Sequence, residues 1–384
     1  MYNFVYYNPT KILFGKGMIA KLPTLLDKEQ KVLLAYGGGS IKKNGVYDQV
    51  MQALKGYSSV EFSGIEANPQ YSTCMKAVEV VKREKIDFLL AVGGGSVLDA
   101  VKFIAAAARF PGKEPWDILT KGAKIVDALP LGCVLTLPAT GSESNPNAVI
   151  SRAETGEKLA FADDHVFPKF SILDPETTFS LPPRQIANGV VDAFVHVMEQ
   201  YLTFDVNAPL QDRFAESILL TLIEEGPKAL LEPLNYDVRA NVMWAATLAL
   251  NTLIGKGVPQ DWTTHQIGHE LTALHGIDHA RTLAIILPAV MKHQRRYKAD
   301  KIIQYGRRVW GIQEGDREKA IDLAIEKTVD FFRRMGVPTS LSDVSLTPQD
   351  VQKAVEAHAR RGSRLGEHRH IGAKEIAEIL QLAA

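Results

Sequence analysis

The sequence predicts an α/β N-terminal domain with a mostly parallel sheet, followed by an all-α C-terminal domain, and three observations carry that prediction. Short apolar, β-branched runs alternate with helical patterns up to about residue 180; two of those runs end in Gly-Gly-Gly-Ser; beyond Leu181 strand-like runs nearly vanish while helical periodicity persists. Strands alternating with helices imply a sheet covered on both faces. A chain of 384 residues holds about two domains, and the change of pattern divides it into 1–180 and 181–384.

Lys31–Tyr36 (KVLLAY) reads as a buried strand that stops at Gly37–Ser40. A helix follows around Tyr47–Lys55, with Val46, Val50, Met51 and Leu54 on one stripe. The cycle repeats with helix Cys74–Lys85, strand Phe88–Val92, the turn Gly93–Ser96 and helix Val97–Ala108. Strand Cys133–Leu137 then ends in the turn Ala139–Glu143. After Pro182 and Pro183, helices are expected over Gln185–Thr203, Leu210–Glu225, Arg239–Ile254, Thr263–Leu274, Ala320–Met335 and Thr347–Arg361.

Composition narrows the function classes. The 44 basic and 44 acidic residues cancel, so the basic excess usual in a nucleic-acid binder is absent and a small-molecule substrate is expected. Cys74 and Cys133 are too few for a disulfide framework. Met1–Leu13 lacks the basic start of a secretory signal, and no apolar run approaches the roughly 18 residues of a membrane span. The expected setting is the cytoplasm, without membrane partners.

A strand that ends in consecutive glycines and opens a helix suits phosphate, because main-chain N–H groups can approach oxygen anions and the helix N-terminus adds positive character. Gly93–Ser96 fits, with Ser96 as N-cap and Asp99 in a capping-box-like position. One such turn is as often a plain strand–helix connection; two in one α/β domain favour a nucleotide, although neither reads GxGxxG. After the first strand the residues are Gly37–Ser40, with Lys42 and Lys43 just beyond, and no carboxylate. Small residues, a hydroxyl and two ammoniums suit a 2′-phosphate, hence NADP rather than NAD. The plain reading of the lysines is a solvated helix start.

Four of the ten histidines, His265, His269, His275 and His279, fall within fifteen residues. His265 and His269 share a helix face, a common metal-ligand spacing, but HQIGHE lacks the glutamate of HExxH. Asp192 and His196 are also four apart, in an otherwise apolar helix. Taken alone they read as a structural hydrogen bond; beside a histidine cluster, a shared metal site is the better reading. One carboxylate with imidazoles suits Zn²⁺ or Fe²⁺. Spacing leaves open which clustered histidines bind. His165, His293, His358, His368 and His370 show no partner pattern and are expected at the surface or in loops.

With these features in view, LLAVGGGSVLDA, TLPATGSES, LPPRQIANGVVDAFVHVMEQY, YDVRANVMWAA and GVPQDWTTHQIGHELTALHGIDHARTLAIILPA resemble the iron-containing (group III) alcohol dehydrogenases. The likeness is to their NADPH-dependent aldehyde reductase and butanol dehydrogenase branch, and runs nearly end to end. It implies a dehydroquinate synthase-like fold, a homodimer, and hydride transfer between NADP(H) and small alcohols or aldehydes, with one divalent ion, Zn²⁺ or Fe²⁺. Matched motif by motif, the family's metal ligands fall on Asp192, His196, His265 and His279, and its remaining motif histidine, His269, falls on the nicotinamide side. Cofactor contacts fall on Gly38, Gly39 and Ser40, on Gly94, Gly95, Ser96 and Asp99, and on Thr136, Thr140, Asn145 and Lys158. The segment TLPATGSE stands where the family more usually has TTAGTGSE, a variant of that branch. His269 and His275 are candidate proton relays, since imidazole titrates near neutral pH. The alternatives are another member of the same fold (a glycerol or sugar-phosphate dehydrogenase, or a dehydroquinate-synthase-like lyase), a metallohydrolase, and a nucleotide-binding regulator without turnover.

Overall fold

The structure is a computed structural model that describes residues 1–384. Its strands are β1 (Lys11–Phe14), β2 (Lys31–Tyr36), β3 (Ser58–Phe62), β4 (Phe88–Gly94), β5 (Leu131–Leu137), β6 (Asn147–Arg152), β7 (Glu157–Ala162) and β8 (Phe170–Leu173). The helices of the first half are α1 (Val46–Ala53), α2 (Tyr71–Glu84), α3 (Gly95–Arg109) and α4 (Asp117–Thr120). The second half is helical throughout: α5 (Pro183–Tyr201), α6 (Pro209–Leu231), α7 (Tyr236–Ala249), α8 (Thr263–His275), α9 (His279–His293), α10 (Arg295–Val309), α11 (Arg317–Arg334), α12 (Pro348–Arg360) and α13 (Ala373–Leu382).

Six strands form one parallel sheet in the order β1-β8-β5-β4-β2-β3, and β6 and β7 make a separate antiparallel hairpin. Strands β2, β4 and β5 are buried almost throughout, which is why KVLLAY, FLLAV and LGCVLTL read as continuous apolar runs. One sheet face packs on α2 and α3 through Leu33, Leu89, Val101 and Ile104; the other packs on α1 and the turn at residues 18–24 through Ile19, Leu34, Val50 and Leu90. From β2 the chain steps outward to β3 and then back across β2 to β4. The strand order therefore reverses between β2 and β4, and in open parallel sheets ligands bind beyond the C-terminal ends of the strands at such a point.

The chain divides into two compact units: Tyr7–Leu181 with Leu234–Thr247, and Met1–Tyr6 with Pro182–Pro233 and Leu248–Ala384. The change of unit at Leu181/Pro182 lies where the change of pattern lies, but a single boundary after residue 180 omits two excursions. Helix α7 belongs with the sheet, because Met243 joins Leu135 and Leu173 in one core and Trp244 packs edge-on against Phe14 at 5.8 Å. Met1–Tyr6 goes with the helices, where Tyr2 N donates to Gly257 O at 2.9 Å.

Several local expectations change. The helix expected over Arg239–Ile254 runs instead from Tyr236 to Ala249; after it Thr252 takes a positive φ of 75°, which the periodicity conceals. Helix α6 continues past Gly226 and Pro227 to Leu231. His358, expected at the surface, is buried, and its Nδ1 lies 3.0 Å from Ser363 Oγ. No helix is long and apolar enough to cross a membrane.

Candidate functional site

In the sheet-bearing unit the two glycine turns follow β2 and β4, which are hydrogen-bonded neighbours with Tyr36 opposite Val92. They therefore flank the reversal of strand order. Gly39 has φ 90°, a left-handed conformation, and a Cβ added at Gly38 or Gly39 would meet nothing within 4 Å. Open, Cβ-free main chain of this kind lets an anion approach N–H groups. Gly38 and Ser40 are exposed.

The second turn is tighter than expected. Strand β4 continues through Gly94 and α3 begins at Gly95, so Ser96 lies inside the first helical turn and Gly94 is the N-cap, with no side-chain capping bond. At Gly95 the neighbour explains the glycine, since a Cβ would stand 2.5 Å from Thr140 Oγ1. Asp99 caps nothing; it accepts from Ser142 Oγ at 2.7 Å and from Val149 N at 3.0 Å. Burial raises its pKa, and the Lys102 ammonium opposes that shift. Asn145 is 1 % exposed. Its amide donates to Gly141 O at 2.8 Å and its Oδ1 accepts from Asn147 N at 2.9 Å, so it shapes the loop after β5. Thr136 is buried in β5, Thr140 is half-buried, and Lys158 reaches Asn68 Oδ1 at 2.8 Å.

Two neighbours of these residues were missed in the sequence. Fully buried Lys102 donates to Ser142 Oγ, Asn145 O and Asn147 O, each at 2.8 Å, and so ties α3 to the loop that carries Asn145. Glu61, near the end of β3, takes Lys42 at 3.3 Å and the hydroxyls of Tyr36 and Tyr47. The ammonium of Lys42 also stands over the rings of Tyr36 and Tyr47, 5.2 Å and 4.6 Å from their centroids. Lys42 is thus already engaged, which leaves Ser40, Lys43 and open main chain as the features suited to a 2′-phosphate.

The helical unit gathers the second group. Asp192 and His196 lie one turn apart on α5 and are both buried. His265 and His269 stand on α8, and His279 opens α9 just beyond the left-handed Gly276 that ends α8. Potential ligand atoms of Asp192, His265 and His279 all lie within 4.8 Å of one another. Asp192 Oδ1 is 3.6 Å from His279 Nε2 and 3.7 Å from His196 Nδ1, and the His196 and His265 rings are 4.5 Å apart. His269 has its ring 4.9 Å from that of His279, while His275, at the last turn of α8, makes no ring contact with the others.

A divalent ion fits this donor set. The buried Asp192 Oδ1 and His196 Nδ1 have no hydrogen-bond partner, a costly state that a coordinated cation relieves. Burial lowers the pKa of His196 to about 4, with Asp192 opposing the shift. The imidazole is therefore neutral at pH 7, the form that binds metal. Glu199, one further turn along α5, bonds the Nδ1 of His265. Burial, with Asp261 beside it, pushes its pKa well above the usual carboxylate range. It had no signal of its own in the sequence beyond lying seven residues after Asp192.

Comparison with known proteins adds the following. The profile described as iron-containing alcohol dehydrogenase matches residues 9–175, and that of the Fe-containing alcohol dehydrogenase family, C-terminal, matches 186–384. The chain is 60 % identical to the NADPH-dependent aldehyde reductase YqhD of Escherichia coli, covering 97 % of both chains. It is 42 % identical to the probable NADH-dependent butanol dehydrogenase 1 of Bacillus subtilis, covering 99 % of both. Among solved structures, the substrate- and cofactor-free E. coli YqhD superposes with a TM-score of 0.93 at 56 % identity, covering 100 % of both chains. The NADH-dependent butanol dehydrogenase A of Thermotoga maritima gives 0.95 at 39 %, covering 100 % of this chain and 99 % of the other.

Proposed function

The chain belongs to the iron-containing alcohol dehydrogenase family, and on that premise we propose that it is a metal-dependent aldehyde reductase and alcohol dehydrogenase that uses NADP(H) on short- to medium-chain substrates. The observation that carries the reading is the convergence of Asp192, His265 and His279, with His196 beside them, in a helical unit whose companion unit has two glycine turns at the reversal of its sheet.

In this reading Asp192, His196, His265 and His279 hold one divalent ion, Zn²⁺ or Fe²⁺, both of which accept one carboxylate and three imidazoles. When bound, the ion supplies Lewis acidity to the carbonyl oxygen. The apolar stretch of α5 around Asp192 and His196 keeps those donors dry, which strengthens their pull on a cation. Gly38, Gly39 and Ser40 receive the adenosine-side phosphate, Gly94, Gly95 and Ser96 the pyrophosphate; Asp99, Thr136, Thr140, Asn145 and Lys158 form or brace the nicotinamide-side loop. His269, in ring contact with His265 and His279, is the stronger candidate to pass a proton to the product oxygen; His275 lies farther along α8. NADP over NAD is supported by the identity to an NADPH-dependent relative and by the absence of a carboxylate within Gly37–Ser40. A cytoplasmic homodimer is the proposed setting, carried by the family.

The test is oxidation of NADPH and of NADH across aldehydes of increasing chain length, on protein of measured metal content. Turnover that requires the metal and prefers NADPH is expected. Equal or better use of NADH overturns the cofactor reading, and failure of the metal-loaded protein to bind either nucleotide favours the metallohydrolase.

A further inference from the structure

Residues 192, 196 and 199 follow one another on a single stripe of α5, yet the third member does not point at the same target as the first two. Glu199 is 4 % exposed. Its Oε1 accepts from Thr264 N at 2.6 Å and from His265 N at 3.3 Å, and its Oε2 meets His265 Nδ1. The main-chain oxygen of Glu199 also accepts from Asp261 N at 2.8 Å.

Helix α8 has no capping side chain at its own N-cap, Trp262, although its first N–H groups have no partners within the helix. Two carboxylates supply them. Asp261 takes Thr263 N at 2.9 Å and Thr263 Oγ1 at 2.6 Å, and Glu199 takes the next two N–H groups. Asp261 is in turn held by Lys298 at 2.7 Å, and Lys298 is held by Glu367 at 3.0 Å, with all three side chains covered. The start of α8 is thus fixed in place by acidic side chains and a lysine from α5, α10 and the segment before α13, and His265 leaves that start directly.

The geometry points to Glu199 as a positioning residue for the metal centre: it locks the His265 ring with Nε2 toward the ion and couples α5, which carries Asp192 and His196, to α8, which carries His265. This rests on the metal reading above. An imidazole that binds a cation through Nε2 keeps its proton on Nδ1, where a carboxylate is the strongest acceptor, and such a partner fixes both ring orientation and ligand basicity. Because the same carboxylate holds the main chain of Thr264 and His265, ring and backbone move together. Two donors on α5 and one on α8 then meet the ion in a single geometry.

The experiment uses metal-free full-length protein, with Zn²⁺ affinity measured by competition with a chelating indicator and Co²⁺ loading followed by visible absorption. Glu199→Gln keeps the shape and one acceptor oxygen; it is expected to weaken Zn²⁺ by about 10- to 100-fold and to alter the Co²⁺ spectrum, while the metal-free protein melts close to wild type. In a His265→Ala background the same change is expected to add almost nothing, since Glu199 acts through that ring. Should Glu199→Gln not fold, Glu199→Asp, which keeps a carboxyl group near the start of α8 but withdraws it from Nδ1, carries the same expectation. Wild-type affinity and spectrum in the variant, or an undiminished effect without His265, overturns the assignment while leaving the function standing. A wild-type protein that binds neither ion overturns both.

Discussion

The proposed nucleotide cradle is made of main chain, and the candidate metal centre is made of side chains. The cradle uses two glycine-rich strand–helix junctions, each placed by the strand before it, and at Gly38 and Gly39 its character lies in open space beside a left-handed backbone. The centre uses one atom from each of several side chains, buried on α5 and α8 and half-buried on α9, and depends on how those helices pack. The first is built locally, and a substitution in it disturbs one turn. The second is built over 88 positions of sequence, from Asp192 to His279, and a substitution there removes one member of a set that works only together.

The largest expected effect follows from that contrast. Asp192→Ala or His279→Ala removes a proposed direct ligand, and should reduce turnover by more than the roughly 10- to 100-fold that loss of an orienting partner costs. Metal content by mass spectrometry should collapse, while NADPH titration by fluorescence stays close to wild type. Loss of nucleotide affinity in the same variants would break the separation of the two sites.

A smaller effect is expected at the cradle. Gly39→Val forces a β-branched residue to φ 90°, at about 1–3 kcal/mol of backbone strain. NADPH affinity should fall by about tenfold, with metal content unchanged. A loss of bound metal in this variant would show that the effect is not confined to one turn.

This contrast also governs what the sequence discloses. The sheet strands were legible because burial on both faces writes itself as an unbroken apolar run, and the glycine turns because they interrupt those runs. Asp192, His196 and the histidine cluster were visible as residue types at helical spacing, but the ligand set had to come from family likeness. Glu199, Lys102 and Glu61 were not legible: each acts on a group 66, 43 or 19 positions away, in Glu199–His265, Lys102–Asn145 and Glu61–Lys42 respectively, and nothing local marks them. Ser96 failed as an N-cap for the opposite reason: its local pattern fitted a cap, but β4 runs on through Gly94 and α3 begins two residues earlier than expected.

The smallest expected effect compares two buried ammoniums. In the helical unit Lys298 sits between Asp261 and Glu367. In the sheet-bearing unit Lys102 is 0 % exposed and hydrogen-bonds to the neutral oxygens of Ser142, Asn145 and Asn147. Burial lowers its pKa from 10.5 to about 8, with Asp99 and Glu143 opposing the shift. Below pH 8 the group is charged whether the chain is folded or not, and the cost of burying that charge is present in full. Between about 8 and 10.5 the unfolded chain binds more protons than the folded one, so this lysine's contribution to stability rises with pH. Lys102→Met removes both the hydrogen bonds and that slope. The melting temperature of wild type should therefore exceed that of the variant by a margin that widens by a few degrees from neutral pH to about pH 10. A margin that stays level or narrows would mean that the folded protein holds Lys102 charged across that range, with Asp99 or Glu143 serving it as Asp261 and Glu367 serve Lys298.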